Sequence, residues 1–276
     1  MNTFFDTHAH LDFPDFSNDL PQVIERANTA GITRIVTIGT DAESSRKAIA
    51  LAELYPCVHA TVGWHPSHVT TAPADVRPLF RDLARHPKVA AIGEIGLDYH
   101  RLPSRSPGGN PADDEPYQKR QATLFQQQLE VAAELHLNVV VHQRDAFPEV
   151  VALMQPWTTS VRGVFHCFGG SPAEVREVLA LGSLVSFTGM VTFKNAAIVR
   201  ESAAAVPSDG FMLETDCPYL APAPHRGKRC EPAYVREIAQ TIAHARGCSL
   251  EELSKITSRN AETFFKNLHP TATSTA

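Results

Sequence analysis

The sequence predicts a single-domain (β/α)8 barrel, and three observations carry that expectation. Eight short apolar, β-rich runs recur along the chain, helix-patterned segments separate them, and 276 residues is the length that eight strand-helix units require, with no linker-like stretch to divide them. In order, the runs are FFDTH from Phe4, RIVTIG from Arg34, VHATVG from Val58, VAAIGEIG from Val89, NVVVH from Asn138, GVFH from Gly163, LVSF from Leu184 and FMLET from Phe211. Most are too continuously hydrophobic for one-sided antiparallel strands, so they read as buried parallel strands joined by crossover helices. Between the fourth and fifth runs, Leu124, Gln128, Val131, Ala132 and Leu135 fall at helix-face intervals. Ser171-Pro172-Ala173-Glu174 places a cap, a first-turn proline and a capping-box glutamate before VREVLALG, and Ser249-Leu250-Glu251-Glu252 repeats the box before LSKIT. Two proline-rich stretches, Arg101 to Pro116 and Pro218 to Pro232, each follow a strand and so read as loops on the catalytic face. The barrel is expected to span residues 1–269, with the small polar segment 270–276 as a frayed tail.

Composition bounds the function. With 43% hydrophobic and 20% charged residues the chain is globular, and 25 Lys+Arg against 30 Asp+Glu give a net charge of -5. No global basic field exists to hold a long duplex or an anionic membrane, so any nucleic acid must be gripped locally. Five cysteines without a C-x-x-C pair read as reduced thiols. The start MNTFFDTHAH has no apolar stretch before its first acid, and 18 consecutive apolar residues occur nowhere, so the expectation is a cytoplasmic protein without a membrane span.

Metal-competent side chains gather at one place in the pattern. His8 and His10 end the first strand, His65 follows the third, Glu94 ends the fourth, His142 the fifth and His166 the sixth, while Asp216 follows the eighth. Each alone is ordinary, but the ends of parallel barrel strands converge on one mouth, and several imidazoles and carboxylates are costly to bury there without a shared partner. The H-x-H spacing of His8 and His10 aims both rings to one side of a strand. The donor set exceeds what one four-coordinate ion needs, which argues for two divalent ions, of Mg, Mn or Zn, with Glu94 as the candidate bridge.

At these residues the chain resembles the TatD family of metal-dependent deoxyribonucleases, within the amidohydrolase-like metallohydrolase barrels. The matching segments are DTHAHLD at Asp6, VGWHPSH at Val62, GEIGLDYH at Gly93, HQRDAF at His142, FHCFGGS at Phe165, FTGMVTFKNA at Phe187 and ETDCPYLAP at Glu214, with RGKRCEPAYV at Arg226 and SRNAETFF at Ser258 extending the likeness almost to the tail. The resemblance implies one ion held by His8, His10, Glu94 and Asp216 and another by Glu94, His142 and His166. It places His65 and Glu214 at the site, behind the ligands or handling protons, so that the catalytic set is Glu94, Asp216, His65 and Glu214. It implies hydrolysis of DNA phosphodiesters, stepwise from a 3′ end, with single strands or 3′ ends as the partner. Cys230 departs from the family pattern, which has Asn there, and the Arg101 to Pro116 loop with its four prolines is longer than usual. Cys167 and Cys217 read as packing residues. His59, His68, His86, His100, His136, His225, His244 and His269 read as surface or core histidines.

Phosphate needs cationic partners, and Arg144, Lys194, Arg226, Lys228 and Arg229 follow strand ends or sit in the last strand's loop. Two other readings compete. One is an amidohydrolase or lactonase acting on a small cyclic amide or ester, because the same barrel and H-x-H opening serve that chemistry. The other is a non-catalytic binding protein.

Overall fold

Each of the eight apolar runs forms a strand: β1 (Phe4–Ala9), β2 (Ile32–Thr37), β3 (Val58–Val62), β4 (Val89–Asp98), β5 (Val139–Arg144), β6 (Gly163–Phe165), β7 (Leu184–Phe187) and β8 (Phe211–Leu213). The computed structural model describes residues 2–266 and Leu268; the expected tail at 270–276 lies outside the described residues. The strands are parallel and neighbour one another in chain order. The ring closes just beyond β8, where Ala9 bridges Cys217, His10 N–H donates to Cys217 O at 2.8 Å and Asp216 N–H donates to His8 O at 2.9 Å. This seam is what sets Asp216 beside His8 on β1 and His10 just after its end.

The helices are α1 (Leu20–Thr29), α2 (Ala42–Leu54), α3 (Arg77–Leu83), α4 (Asp114–Leu135), α5 (Phe147–Met154), α6 (Pro172–Ala180), α7 (Ala197–Ala205), α8 (Val235–Arg246) and α9 (Leu250–Phe264). Ser171 makes the full reciprocal capping box with Glu174 at the start of α6. At α9 only half of the expected box forms: Ser249 Oγ accepts from Glu252 N–H at 3.1 Å. On α4, Leu124, Gln128, Val131 and Ala132 are buried, as the spacing predicts, and Leu135 is partly buried.

Apolar burial falls into two layers. The larger cluster lies between the strands and the outer helices, with Phe4, Phe16, Phe80, Phe125 and Phe165 almost wholly buried; each such side chain contributes about 1.5–3 kcal/mol relative to exposure. A second cluster joins residues of the barrel such as Phe5, Val36, Ala90, Val140 and Met212 to Phe264, Phe265 and Leu268. Asn138 Nδ2 donates to Phe264 O at 2.6 Å and Lys266 N–H to Ala90 O at 3.1 Å, so the end of α9 plugs the barrel at the strands' N-terminal end. The opposite end carries the site.

The residues from Arg101 to Pro116 fold into two short 3-10 turns, Pro103–Arg105 and Pro111–Asp113, and the last three enter α4. Asp114 fastens the segment by accepting from Ser104 N–H at 2.9 Å and Ser104 Oγ at 2.6 Å. All five cysteines are free thiols, Cys217 and Cys230 being buried. Among the described residues no helix is long and apolar enough to cross a membrane.

Candidate metal centre

Two irregularities in the ladder aim the donors. Between Asp6 and Ala9, β1 advances three residues while β2 advances two, from Ile35 to Thr37. Side-chain parity therefore changes past Asp6, and Phe5 can belong to the interior cluster while His8 and His10 both face Asp216. In the same way β4 advances from Ile92 to Ile95 against Val139 to Val141, and Glu94 sits in the bulge. The Gly93–Glu94 peptide is cis. Gly96, at φ 140°, is required by proximity: a Cβ there would lie 2.0 Å from His142 O. That close approach of β4 to β5 leaves Glu94 Oε1 only 2.7 Å from His142 Nδ1.

Glu94 lies at the middle of the donors, with its two oxygens turned to different sets. Oε1 is 2.7 Å from His142 Nδ1, 2.7 Å from His166 Nε2 and 3.4 Å from His65 Nε2. Oε2 is 3.5 Å from His8 Nε2, and His8 Nε2 and His10 Nε2 lie 3.6 and 3.3 Å from Asp216 Oδ1. Donor atoms close enough to share an ion occur in three overlapping groups: His8, Glu94 and His166; His8, His10 and Asp216; His65, Glu94 and His142. Burial alone would raise the Glu94 carboxyl, yet His166, His65 and His142 hold it well below the usual range.

The residues fit a bound divalent cation. His8 Nε2, which faces Glu94 Oε2 and Asp216 Oδ1, is buried without a hydrogen-bond partner, an arrangement that costs about 1–3 kcal/mol when nothing else engages it. Imidazole nitrogen with carboxylate oxygen is the donor chemistry of Zn and Mn sites.

A further layer of side chains fixes the rings. Asp98 Oδ2 lies 3.2 Å from His142 Nε2; with the Nε2 proton given to Asp98, the Nδ1 lone pair faces Glu94. Burial opposes ionisation of Asp98, but its bond to His142 holds it down at about 2. Glu214 accepts from Cys167 N–H at 2.5 Å and Ser186 Oγ at 2.6 Å and stands 3.7 Å from His166 Nδ1. Ser67 N–H donates to His65 Nδ1 at 3.0 Å, which puts the proton of the neutral ring on Nε2, facing Glu94; burial lowers this imidazole to about 4. Asp6, anchored by Thr215 N–H at 2.9 Å and Thr215 Oγ1 at 2.6 Å, ties β1 to the segment after β8, and burial pushes its carboxyl up to about 8.

The donors open into a cavity of about 570 Å3. Of the cationic residues expected to grip phosphate, Arg144 lines it, whereas Lys194, Arg226, Lys228 and Arg229 do not. Arg229 is occupied elsewhere: its two terminal nitrogens donate to Asp19 at 2.7 and 2.8 Å, and its guanidinium carbon lies 4.9 Å from the centre of the Phe16 ring. Arg226 lies over Phe193 with its guanidinium carbon 3.7 Å from the ring centre. Asp98, Arg101, Phe13 and Tyr219 also line the cavity and were not singled out from the sequence, and so does His68, which read as a surface or core histidine. Asp98 carried a usable signal, standing four residues after Glu94 in the GEIGLDYH segment. Of the other histidines set aside, His100 pairs with Asp145 and His225 stacks on Tyr234.

Comparison with known proteins agrees with this geometry. The family described as TatD related DNase matches residues 5–266. The chain is 38% identical over 263 residues to the "uncharacterized metal-dependent hydrolase YabD" of Bacillus subtilis, covering 95% of this chain and 98% of that protein. It is 36% identical over 269 residues to the "3′-5′ ssDNA/RNA exonuclease TatD" of Pantoea vagans, covering 95% and 99%. Among solved structures, the TatD homologue YJJV of Escherichia coli superposes with a TM-score of 0.85 at 29% identity, over 95% of this chain and 97% of that one. Metal-competent donors at the C-terminal ends of an eight-stranded parallel barrel, matched along almost the whole sequence, show that the chain belongs to the TatD-related DNase family of metal-dependent hydrolases.

Proposed function

We propose that this protein removes nucleotides from the 3′ ends of single-stranded DNA with two divalent ions, one held by His8, His10, Glu94 and Asp216 and the other by Glu94, His142 and His166. The observation that carries the reading is the orientation of Glu94, whose Oε2 faces His8 while Oε1 faces His142 and His166. The name of the Pantoea relative supports a single-stranded substrate and adds RNA to it. When bound, two such ions lower the pKa of water and stabilise the attacking and leaving oxygens of a phosphodiester displacement together.

The chain's own residues supply the rest. We assign to the Asp216 carboxylate, which faces His8 and His10 through Oδ1 and also lines the cavity, the task of taking the proton of the attacking water. His65 presents Nε2–H to the same space and donates to an anionic oxygen there. Glu214 does not line the cavity and acts as a positioning residue, holding the Cys167 backbone beside His166. The near phosphate grip falls to Arg144, joined by Arg101, with Lys194, Arg226 and Lys228 left to contacts outside the cavity and Arg229 to its loop clamp.

The test is incubation of metal-replete protein with 5′-labelled single-stranded DNA, the matching RNA and blunt duplex, beside small amides and lactones. A ladder shortening one nucleotide at a time on single strands, abolished by chelation, is expected. Turnover of an amide or lactone with intact oligonucleotides would replace this reading with the amidohydrolase one.

A further inference from the structure

The cavity wall is divided by chemistry. Its apolar side chains, Phe13, Met190, Tyr219 and Leu220, come from the loops after β1, β7 and β8, which are consecutive around the ring. The arginines lining it come from the other side of the ring, Arg101 from the loop after β4 and Arg144 from the C-terminal end of β5. With strands in the order β1 to β8 and the seam between β8 and β1, these two groups stand on opposite sides of the mouth, with the metal-competent donors between them.

The aromatic side is built as a platform. Phe13 stacks on His10, ring centres 4.6 Å apart, and meets Tyr219 edge-to-face at 6.1 Å and 83°. Tyr219 is 54% exposed, one of three large hydrophobic side chains so exposed among the described residues, and it is the one at the cavity. Its backbone N–H donates to Asp216 O at 3.0 Å, so the ring is held next to a residue of the donor set. On the other side, the Arg144 guanidinium is exposed and makes no hydrogen bond or ion pair among the described residues, and the exposed Arg101 side chain has its Nε 3.9 Å from Asp98 Oδ2, too far for a hydrogen bond, while its backbone N–H donates to Asp98 Oδ1 at 3.1 Å.

We propose that Tyr219 and Phe13 stack the terminal base of the single strand while Arg101 and Arg144, across the mouth, take the phosphates of the chain that continues from it. This rests on the exonuclease reading above and says how the strand lies across the mouth. A terminal nucleoside offers one π-face, which an apolar aromatic wall suits, whereas the remaining strand carries a phosphate at every step and matches the cationic wall. Stacking is tolerant of base identity because every base has a π-face, so the platform favours no sequence. A base paired in a duplex has its faces covered by its neighbours and must leave the stack first. The platform therefore selects unpaired ends.

The test pairs two deletions, of the ring and of the base. Wild type, Tyr219→Ala and Tyr219→Phe are assayed for the first cleavage of three oligonucleotides: intact, abasic at the 3′-terminal position, and abasic at the third position from that end. Affinity is read in parallel by anisotropy, using oligonucleotides whose terminal linkage is a phosphorothioate. Tyr219→Ala should lower kcat/KM on the intact strand about 10- to 100-fold, chiefly through KM, with Tyr219→Phe restoring most of it. On the terminally abasic strand wild type should already show that loss, and Tyr219→Ala should add little. Arg144→Gln should reduce the salt slope of binding by about 0.7, one contact to a single strand. Equal losses for Tyr219→Ala on all three strands, or coupling to the third base instead of the terminal one, overturns the platform. If wild type shortens strands equally fast with and without a terminal base, the platform falls and the nuclease reading stands; if it cleaves no oligonucleotide, the nuclease reading itself has failed.

Discussion

Glu94 offers Oε1 to His142 and His166 at 2.7 Å each and Oε2 to His8 at 3.5 Å, and only a carboxylate can present two anionic oxygens in this way. Glutamine has the same shape but one acceptor oxygen and no charge. Glu94→Gln should therefore reduce bound metal from the proposed two ions per chain to one or fewer, measured by elemental analysis after gel filtration, and lower turnover by at least about 100-fold. Two ions retained at full occupancy would show that the bridge is made elsewhere. His65 is set apart from the other histidines because Ser67 occupies its Nδ1 and burial keeps the ring neutral, which suits the proposed donation of a proton through Nε2.

Helix α4 serves the site from behind through two buried glutamines. Gln128 Oε1 accepts from Trp64 N–H at 2.6 Å and its Nε2 donates to Trp64 O at 3.2 Å, fixing the backbone just before His65. Gln121, two turns earlier, holds Asp98 in the same way at 2.9 and 3.1 Å. Gln128→Leu should leave the Trp64 backbone groups unpaired in an apolar interior, costing about 1–3 kcal/mol. The expected outcome is a melting temperature lower by several degrees, with a fall in kcat larger than the one in metal content, because the ring displaced is His65 and the proposed ligands stay in place. An unchanged melting temperature would mean that water replaces the amide without penalty. The segment from Arg101 to Pro116 is also tied to α4. Its prolines and glycines suggest a loop with little to pack, yet Asp114, the first residue of α4, grips Ser104, and Arg105 pairs with Asp145 at 3.0 Å.

Across the whole molecule, the loop after β8 is latched to the entry of α1 by Asp19, Arg26, Arg229 and Glu231. Hydrogen bonds from Arg229 and then Arg26 hold the Asp19 carboxyl at about 2. A folded value below the unfolded one of 3.8 means that the latch stabilises the fold fully above about pH 4 and loses its effect as pH falls toward 2. Asp19→Asn should flatten that part of the profile of melting temperature against pH, and salt should diminish the difference, because the group is exposed to solvent. An unaltered acid limb would show that the latch carries no stability. The eight apolar runs already specify the barrel, since in parallel order they leave few other ways to bury both faces of every strand. They also bring His8, His10, Glu94, His142, His166 and Asp216 together, because C-terminal strand ends converge wherever such a barrel closes. Which charges remain at the mouth is set instead by long-range packing. Arg226 and Arg229 read like Arg144 along the chain, yet one lies on Phe193 and the other is spent on Asp19. Such partners come from distant segments, Asp19 and Arg229 being 210 residues apart, and pattern and spacing carry no record of them. Phe13 and Tyr219 were hidden for the same reason: a side chain's aim depends on bulges and loop geometry that periodicity does not encode.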